Sequence, residues 1–530
     1  MTDLPAKNSP HRSAKKRHAK PVVNGGGAPV LYIHPAKQGP GFRADNSELG
    51  RPYGLFPVGL PALVNLLRDH EIEVQGIVHP METQLNPGFQ LADWLRERRT
   101  ARVILIDMHW YEHCYGAVET ARLCKQVLPH AKIVIGGLSA SGFWREILEN
   151  FPFIDYIIRG DAEQPLLKLV QVLLSADAGP EEADLAGVPN LSFIGSAGIV
   201  ENELTYTATC EDLDRLNFAD IDFIQHAREY YVHEYIVTDI GRARVALQSS
   251  PYTGRWITTA RGCRYHCSYC GGSKESHKLL AKRMGLTERS PAAVAEEIRH
   301  LQEIGVVQAS MTYDIAEISP EYWQTLFAEL RARDVHMGLY NEFFQMPTRE
   351  FVRALAANCV QEHSCVALSP LSGNERVRRL NGKHYNNEAL FDILDELASH
   401  KFYLFIYFSM NLPGETLETF QESLNLAEEI YHFYPHSLLK ILNTVHTLDP
   451  LSPMNMYAEK YGIKAGMSSF MDYYEYCRDT GTADPNSRFG LRRGIEMAGR
   501  SQADQEQMVK SWEQMRVGKE QSWWPVPPGW

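Results

Sequence analysis

Three of the nine cysteines stand within eight residues, in the segment Arg261-Gly-Cys263-Arg-Tyr-His-Cys267-Ser-Tyr-Cys270-Gly-Gly. Thiolates are the ligands that iron-sulfur clusters prefer, and this spacing lets one loop wrap a 4Fe-4S cubane while leaving one iron without a protein ligand. A three-cysteine zinc site completed by His266 or His277 is the competing reading. Zinc motifs usually pair Cys-x2-Cys with a distant second pair, which is absent here. Cys114, Cys124, Cys210, Cys359, Cys365 and Cys477 are scattered and read as small apolar side chains in or near the core. An odd cysteine count over a long chain argues against a secreted disulfide framework and for a reducing, cytoplasmic compartment.

The cysteine loop directly follows the strand-like run Trp256 to Thr259. After it comes a marked helix in which Ser290 can cap, Pro291 suits the first position, and Val294, Ile298 and Leu301 form one stripe. Further strand-like runs are Val306 to Thr312, His336 to Asn341, Cys365 to Ser369, Tyr403 to Met410 and Leu438 to Thr444. Helical patterns near 349–358, 387–399 and 418–431 separate them. Six strands joined by helices predict a partial (β/α)6 barrel of the TIM type over 249–452.

Upstream, apolar runs at Val30 to Ile33, Ile72 to Val78, Val103 to Ile106, Lys132 to Ile135 and Tyr156 to Ile158 alternate with helical stretches. That pattern predicts an α/β domain over 28–185, a doubly wound, Rossmann-like parallel sheet with ligands at the carboxyl ends of its strands. Residues 186–248 read as a connecting segment that packs on either neighbour. The C-terminal extension, 453–530, is rich in Tyr, Met and Trp and ends in Trp523-Trp524-Pro525; it either covers the barrel mouth or packs on its side.

With 530 residues, 44% hydrophobic and 22% charged, the chain has the composition of a soluble multidomain enzyme. No window offers the roughly 18 apolar residues of a membrane span. A net charge of -12 disfavours nucleic acid as the main partner. Residues 1–27 set Lys7, Arg12, Lys15, Lys16, Arg17 and Lys20 against Asp3 and lack a signal-like apolar stretch, so a disordered tail is expected there, with a nucleic-acid-binding arm as the alternative.

Over about 250–450 the chain resembles the radical S-adenosylmethionine (SAM) superfamily. That resemblance implies that Cys263, Cys267 and Cys270 are the catalytic cluster and metal ligands. It also implies that the open iron takes the amino and carboxylate groups of SAM, whose cleavage gives a 5'-deoxyadenosyl radical. Tyr269 would then pack near the adenine, and Gly271 and Gly272 follow the cluster. Asp314 and Glu317 fall where the family contacts the methionine amino group. Ser369, Ser372 and Gly373 fall where polar groups meet the ribose or carboxylate, and Asn411-Leu-Pro413-Gly414-Glu415-Thr416 resembles an adenine-side loop.

Over 28–185 the chain resembles the cobalamin-binding domain of class B cobalamin-dependent radical SAM enzymes. The matching pieces are His34-Pro35, Pro57 and Gly59, Asp107-Met-His109-Trp110, Gly136-Gly137-Leu-Ser139-Ala-Ser141, and Arg159-Gly160-Asp161-Ala-Glu163. Glycines at a strand end let backbone approach a large flat ligand, and small serines leave a slot for a nucleotide tail. The Asp-x-His-x-x-Gly motif of proteins with a histidine on cobalt is absent from the first loop. Asp107-Met-His109 begins like it but follows the third strand, and Glu112 replaces its Gly. Cobalamin is therefore expected with its base detached and no protein nitrogen on cobalt, with His109 as the alternative ligand and Trp110 or a neighbour covering the lower face. A dinucleotide reading would need Gly-x-Gly-x-x-Gly after the first strand, and Ile33 to Gly39 does not supply it.

The resemblance implies a methyltransferase carrying a 4Fe-4S cluster, SAM and methylcobalamin. It would move a methyl group to an unactivated carbon, or a phosphinate phosphorus, of a specialised-metabolite precursor such as one in antibiotic biosynthesis. The partners implied are a small-molecule substrate and an electron donor such as flavodoxin or ferredoxin. The alternatives are a non-methylating oxidation, cyclisation or rearrangement with the same cofactors, and a non-catalytic cobalamin or redox sensor. Tyr313, Asn341, Glu342, Tyr407 and His446 are candidate substrate contacts by their places near strand ends.

Overall fold

The computed structural model describes residues 27–42, 55–175, 180–236, 250–446, 448–482, 495–497 and 499–524. The basic tail before Gly27, and Pro525, lie outside the described residues.

Five strands build the parallel part of the first sheet: β1 (Val30–His34), β2 (Val74–Val78), β3 (Val103–Asp107), β4 (Lys132–Gly136) and β5 (Tyr156–Ile158). Their nearly unbroken apolar runs follow from burial on both faces, where helices supply two separate cores. The spatial order β2-β1-β3-β4-β5 reverses between β1 and β3, which opens a crevice at the carboxyl ends of the strands. A hairpin of β6 (Leu191–Gly195) and β7 (Gly198–Glu201) then extends the sheet antiparallel from β5. Sequence patterning left this hairpin inside the connecting segment. The rest of that segment packs on both neighbours. Phe223 accepts from the Gly76 backbone N–H at 2.8 Å, Ile221, Ile224 and Val232 enter the first core, and Glu234 pairs with Arg255 of the second domain at 2.9 Å.

The second sheet is parallel throughout and ordered by sequence: β8 (Gly254–Ile257), β11 (Gln308–Met311), β12 (Gly338–Phe343), β13 (Cys365–Leu371), β14 (Tyr403–Met410) and β15 (Leu439–Val445). Between β8 and β11 lies a two-residue antiparallel ribbon of β9 (Ala260–Arg261) and β10 (Thr287–Glu288). One face of the sheet packs on helices such as Pro291–Glu303, which Ser290 caps at Ala293 N. The other face gathers Tyr340, Cys365, Ala367, Phe405 and Leu442 with Trp256 in the hollow of the partial barrel.

The C-terminal extension straddles both domains. Just after β15 it crosses the cysteine loop, where Met454 N–H donates to Ser268 O at 2.8 Å and Ser276 Oγ donates to Leu451 O at 2.7 Å. The paired strands β16 (Ile463–Ala465) and β17 (Ile495–Met497) flank helix Phe470–Thr482, which lies on the first domain. There Phe470 packs against Phe143 and Phe151, and Tyr474 OH donates to Glu119 at 2.8 Å. The chain then returns to the barrel through the buried pair Arg500–Glu415 at 2.6 Å and the helix Gln502–Arg516. Ser522 O and Trp524 N–H bond Ile441 at 2.7 and 2.9 Å, which covers the outer edge of β15.

Candidate functional site

A cavity of about 650 Å³ opens between the carboxyl ends of β3, β4 and β5 and the mouth of the barrel. Asp107, His109, Trp110, Gly136, Gly137, Gly160, Asp161 and Glu163 reach it from the first domain. Cys263, Cys267, Tyr269, Cys270 and Gly272 reach it from the cysteine loop, with Thr312, Tyr313, Glu342 and Lys383 from barrel strand ends. Residues from two domains, as far apart in the chain as Asp107 and Lys383, thus face one space.

The cysteine loop is held tightly. Gly382, at φ +93°, backs Cys267 so closely that a Cβ there would lie 3.0 Å from Cys267 Sγ. Gly271 has no room for a side chain, because the Asp449 carboxylate occupies the place of its Cβ. Asp449 accepts the backbone N–H of Leu451 at 3.0 Å, and burial pushes its carboxyl up to about 7. Burial likewise raises all three thiols, so free Cys263, Cys267 and Cys270 hold their protons and would release them to a metal. Among the described residues no three His, Cys, Asp or Glu side chains group to hold a metal ion. His266 pairs with Glu275 at the exposed side of the loop instead. All three thiols line the cavity, and thiolates are the donors an iron-sulfur cluster takes. Tyr269 stacks on His446 with centroids 4.5 Å apart.

On the opposite wall, Gly137 (φ +119°) lets its loop lie against the β3 loop, since a Cβ would stand 2.7 Å from the His109 backbone. Leu60, Leu105, Val134 and Leu166 add an apolar surface to this wall. Glycine backbone beside a broad apolar surface fits a flat ring system such as a corrin. Burial lowers the His109 imidazolium to about 4, so the ring is neutral near pH 7. His34 does not line the cavity. Its Nδ1 bonds Asp107 at 3.0 Å, where Tyr32 OH also donates at 2.7 Å, so it orients Asp107 from behind.

Other sequence-singled residues support rather than face this space. Ser139 Oγ donates to His109 O at 3.1 Å, and Ser141 Oγ donates to Gly137 O at 2.7 Å while accepting Gly160 N–H at 3.0 Å. Asp314 is buried and accepts from Asn341 Nδ2, Phe344 N and Ala316 N at 2.8 to 3.0 Å; burial pushes its carboxyl up to about 7. Glu317 takes the Tyr265 hydroxyl. Ser369 Oγ donates to Glu342 at 3.3 Å and so stands behind the cavity wall. Ser372 turns toward Ser423 at 3.2 Å, and Gly414 (φ +79°) makes its turn away from the cavity. Tyr407 sits with Phe405 in the barrel hollow. Sequence reasoning missed Asp449, Lys383 and Arg261; Arg261 could have been flagged as a charge two residues ahead of Cys263.

With this geometry in hand, comparison with known proteins is direct. Residues 51–170 match the B12 binding domain and residues 257–427 the Radical SAM superfamily. The anaerobic magnesium-protoporphyrin IX monomethyl ester cyclase of Cereibacter sphaeroides is 28% identical over 187 residues, 35% of this chain and 26% of that protein. The chain therefore spans only about a quarter of that relative's length. Among solved structures, the radical S-adenosylmethionine methyltransferase TsrM from Kitasatospora setae, with cobalamin and a 4Fe-4S cluster bound, aligns with a TM-score of 0.57. It is 18% identical, with 83% of this chain and 81% of that chain covered. The cobalamin-dependent S-adenosylmethionine radical enzyme OxsB aligns with a TM-score of 0.56 at 13% identity, covering 93% of this chain and 67% of that one. These structural likenesses show a shared fold.

Proposed function

We propose that this chain, in which a B12-binding domain precedes a radical SAM domain as in cobalamin-dependent radical SAM enzymes, methylates an unactivated carbon, or a phosphinate phosphorus, of a specialised-metabolite precursor. One observation carries the reading: the three cysteines and the strand ends of the B12-binding domain line one cavity. When bound there, a 4Fe-4S cluster with SAM would supply a 5'-deoxyadenosyl radical, and methylcobalamin a methyl group.

The chain's own residues orient and seal. Cys263, Cys267 and Cys270 would hold the cluster, with Asp449 and Gly382 fixing the loop that carries them. Gly136, Gly137 and Gly160, with His109 and Trp110 on the fixed β3 loop, would hold the corrin. Leu60, Leu105, Val134 and Leu166 exclude water from a reactive radical. Glu342, held by Ser369, and Lys383, whose Nζ donates to Phe344 O at 3.0 Å, offer opposite charges for a SAM amino acid moiety. Thr312 and Tyr313 leave polar atoms for a small substrate. An intracellular flavodoxin or ferredoxin would deliver electrons in the cytoplasm.

The cyclase likeness favours one second reading, in which the same cofactors serve an oxidative ring-forming reaction without methyl transfer. Anaerobically reconstituted protein given methyl-labelled SAM and candidate substrates separates the two. Label in the product supports methylation, whereas turnover to an unlabelled, oxidised product rejects it.

A further inference from the structure

Four charged side chains meet where the two domains join, and three of them, Asp161, Glu163 and Arg261, line the cavity. Asp161 and Glu163 lie just after β5 on the B12-binding domain. Arg261 stands in β9, two residues before Cys263, and Arg283 follows the helix Lys274–Ala281. Arg261 Nη1 is 2.6 Å from Glu163 Oε1 and 3.4 Å from Asp161 Oδ1, while Arg283 pairs with the other oxygen of Asp161. Arg283 also donates to Ala208 O at 3.1 Å, and Asp161 accepts Ala208 N–H at 2.8 Å. The set sums to zero charge; Asp161, Glu163 and Arg283 are buried, and Arg261 is 18% exposed where it borders the cavity.

Buried ion pairs recover little net stability after desolvation, and apolar residues of like volume would hold two surfaces together as well. What they add is register, because any other alignment leaves a buried charge unpaired. The surrounding backbone is equally close-fitting. A Cβ on Gly160 (φ +63°) would stand 2.8 Å from Leu280 O, and Thr207 Oγ1 donates to Ala281 O at 2.9 Å. The β9–β10 ribbon joins the two arginines on the barrel side, with Arg283 also bonding Thr287.

We propose that Asp161, Glu163, Arg261 and Arg283 form an ionic latch that sets the separation and tilt between the cobalamin-bearing strand ends and the cluster-bearing loop, with Glu163 and Arg261 as positioning residues. The guanidinium of Arg261 is two peptide units from a cluster ligand, so its docking on Glu163 fixes where that ligand sits. Asp161 and Glu163 thereby serve the barrel contact, whereas their place after β5 suggested direct cobalamin contacts. The inference rests on the assignment of both cofactors to the cavity and not on the identity of the reaction.

The test uses the full chain loaded with both cofactors. Cob(II)alamin and the reduced cluster are each paramagnetic, so their dipolar splitting in electron paramagnetic resonance reports their separation. Wild-type protein should give one defined splitting. Glu163→Gln and Arg261→Met, at unchanged iron and cobalamin content, should shift or broaden it, because a displacement of about 1 Å is the scale at which site geometry fails. Arg261→Lys should restore it in part. Where Glu163→Gln does not fold, Glu163→Asp keeps the charge, withdraws it by one methylene and should move the splitting in the same sense. Wild-type splitting in a loaded variant overturns the proposal, whether or not turnover is lost. Failure of the cofactor assignment is distinguishable, since wild-type protein would then show no cob(II)alamin signal. Absence of methylated product leaves the measurement intact.

Discussion

Replacing Gly160 by alanine tests whether the two domains touch as closely as the geometry requires. Gly160 sits at φ +63°, in the left-handed region, which costs a residue with a Cβ about 1–2 kcal/mol. The new methyl would also stand 2.8 Å from Leu280 O and 3.1 Å from Ala281 Cα, both on the barrel side. Overpacking of this kind adds about 1–3 kcal/mol, so the expected cost is about 2–5 kcal/mol. Gly305 provides the control: its φ is +87°, but nothing lies within 4 Å of its Cβ position, so Gly305→Ala should cost only the backbone part. Thermal unfolding reads the difference at about 2–4 °C per kcal/mol in domains of this size. Cobalamin titration should show weaker binding for Gly160→Ala alone, since only there does the β5 loop withdraw from the cavity. If both variants melt together and bind cobalamin alike, the close approach and the reasoning built on it are wrong.

Cys263→Ala, Cys267→Ala and Cys270→Ala should each abolish the cubane absorption and SAM cleavage while leaving far-ultraviolet circular dichroism unchanged; a surviving cluster in any of them would displace that cysteine from the ligand set. Gly382→Ala keeps all three thiols yet presses on Cys267, so iron content per chain should fall, and full iron loading would contradict the backing role. Glu415 supplies a pH prediction. Burial pushes its carboxyl up to about 7 against the pull of Arg500, so the folded state holds the proton more tightly than the unfolded chain, whose value is near 4.5. Stability from this group is thus lost as pH rises from about 4.5 to 7, by at most about 3 kcal/mol, from roughly 2.5 pH units at about 1.36 kcal/mol each. Glu415→Gln should flatten the fall of melting temperature between pH 5 and 8, and an unchanged slope would refute the assignment.

The parallel strands were legible because burial on both faces writes long apolar runs, as in Val103 to Ile106 and Tyr403 to Met410. The β6–β7 hairpin was not, since β7 is short, begins at Gly198 and has no buried residue, and Ile194 near the end of β6 is 42% exposed, so alternation is weak. In the site, Cys263, Cys267 and Cys270 declare themselves by local spacing. The supports do not: Asp449 meets Gly271 from 178 positions away, and Glu163 meets Arg261 across 98, so no local pattern could join them. Ser372 and Gly414 matched loop positions by order along the chain, but order does not fix direction, and packing against Ser423 turned the serine aside.

The segment that leaves β15, crosses the cysteine loop and lies along the first domain has a practical consequence for engineering. Phe470, Tyr473 and Tyr474 join a core whose first-domain residues, Leu31 to Ile157, are encoded more than 300 positions earlier. The two halves of this protein are therefore not interchangeable cassettes at a junction near residue 250. A chimera taking its first half from a homologue should remain insoluble until helix Phe470–Thr482 is grafted from the same parent, so the smallest transferable unit is discontinuous in the gene.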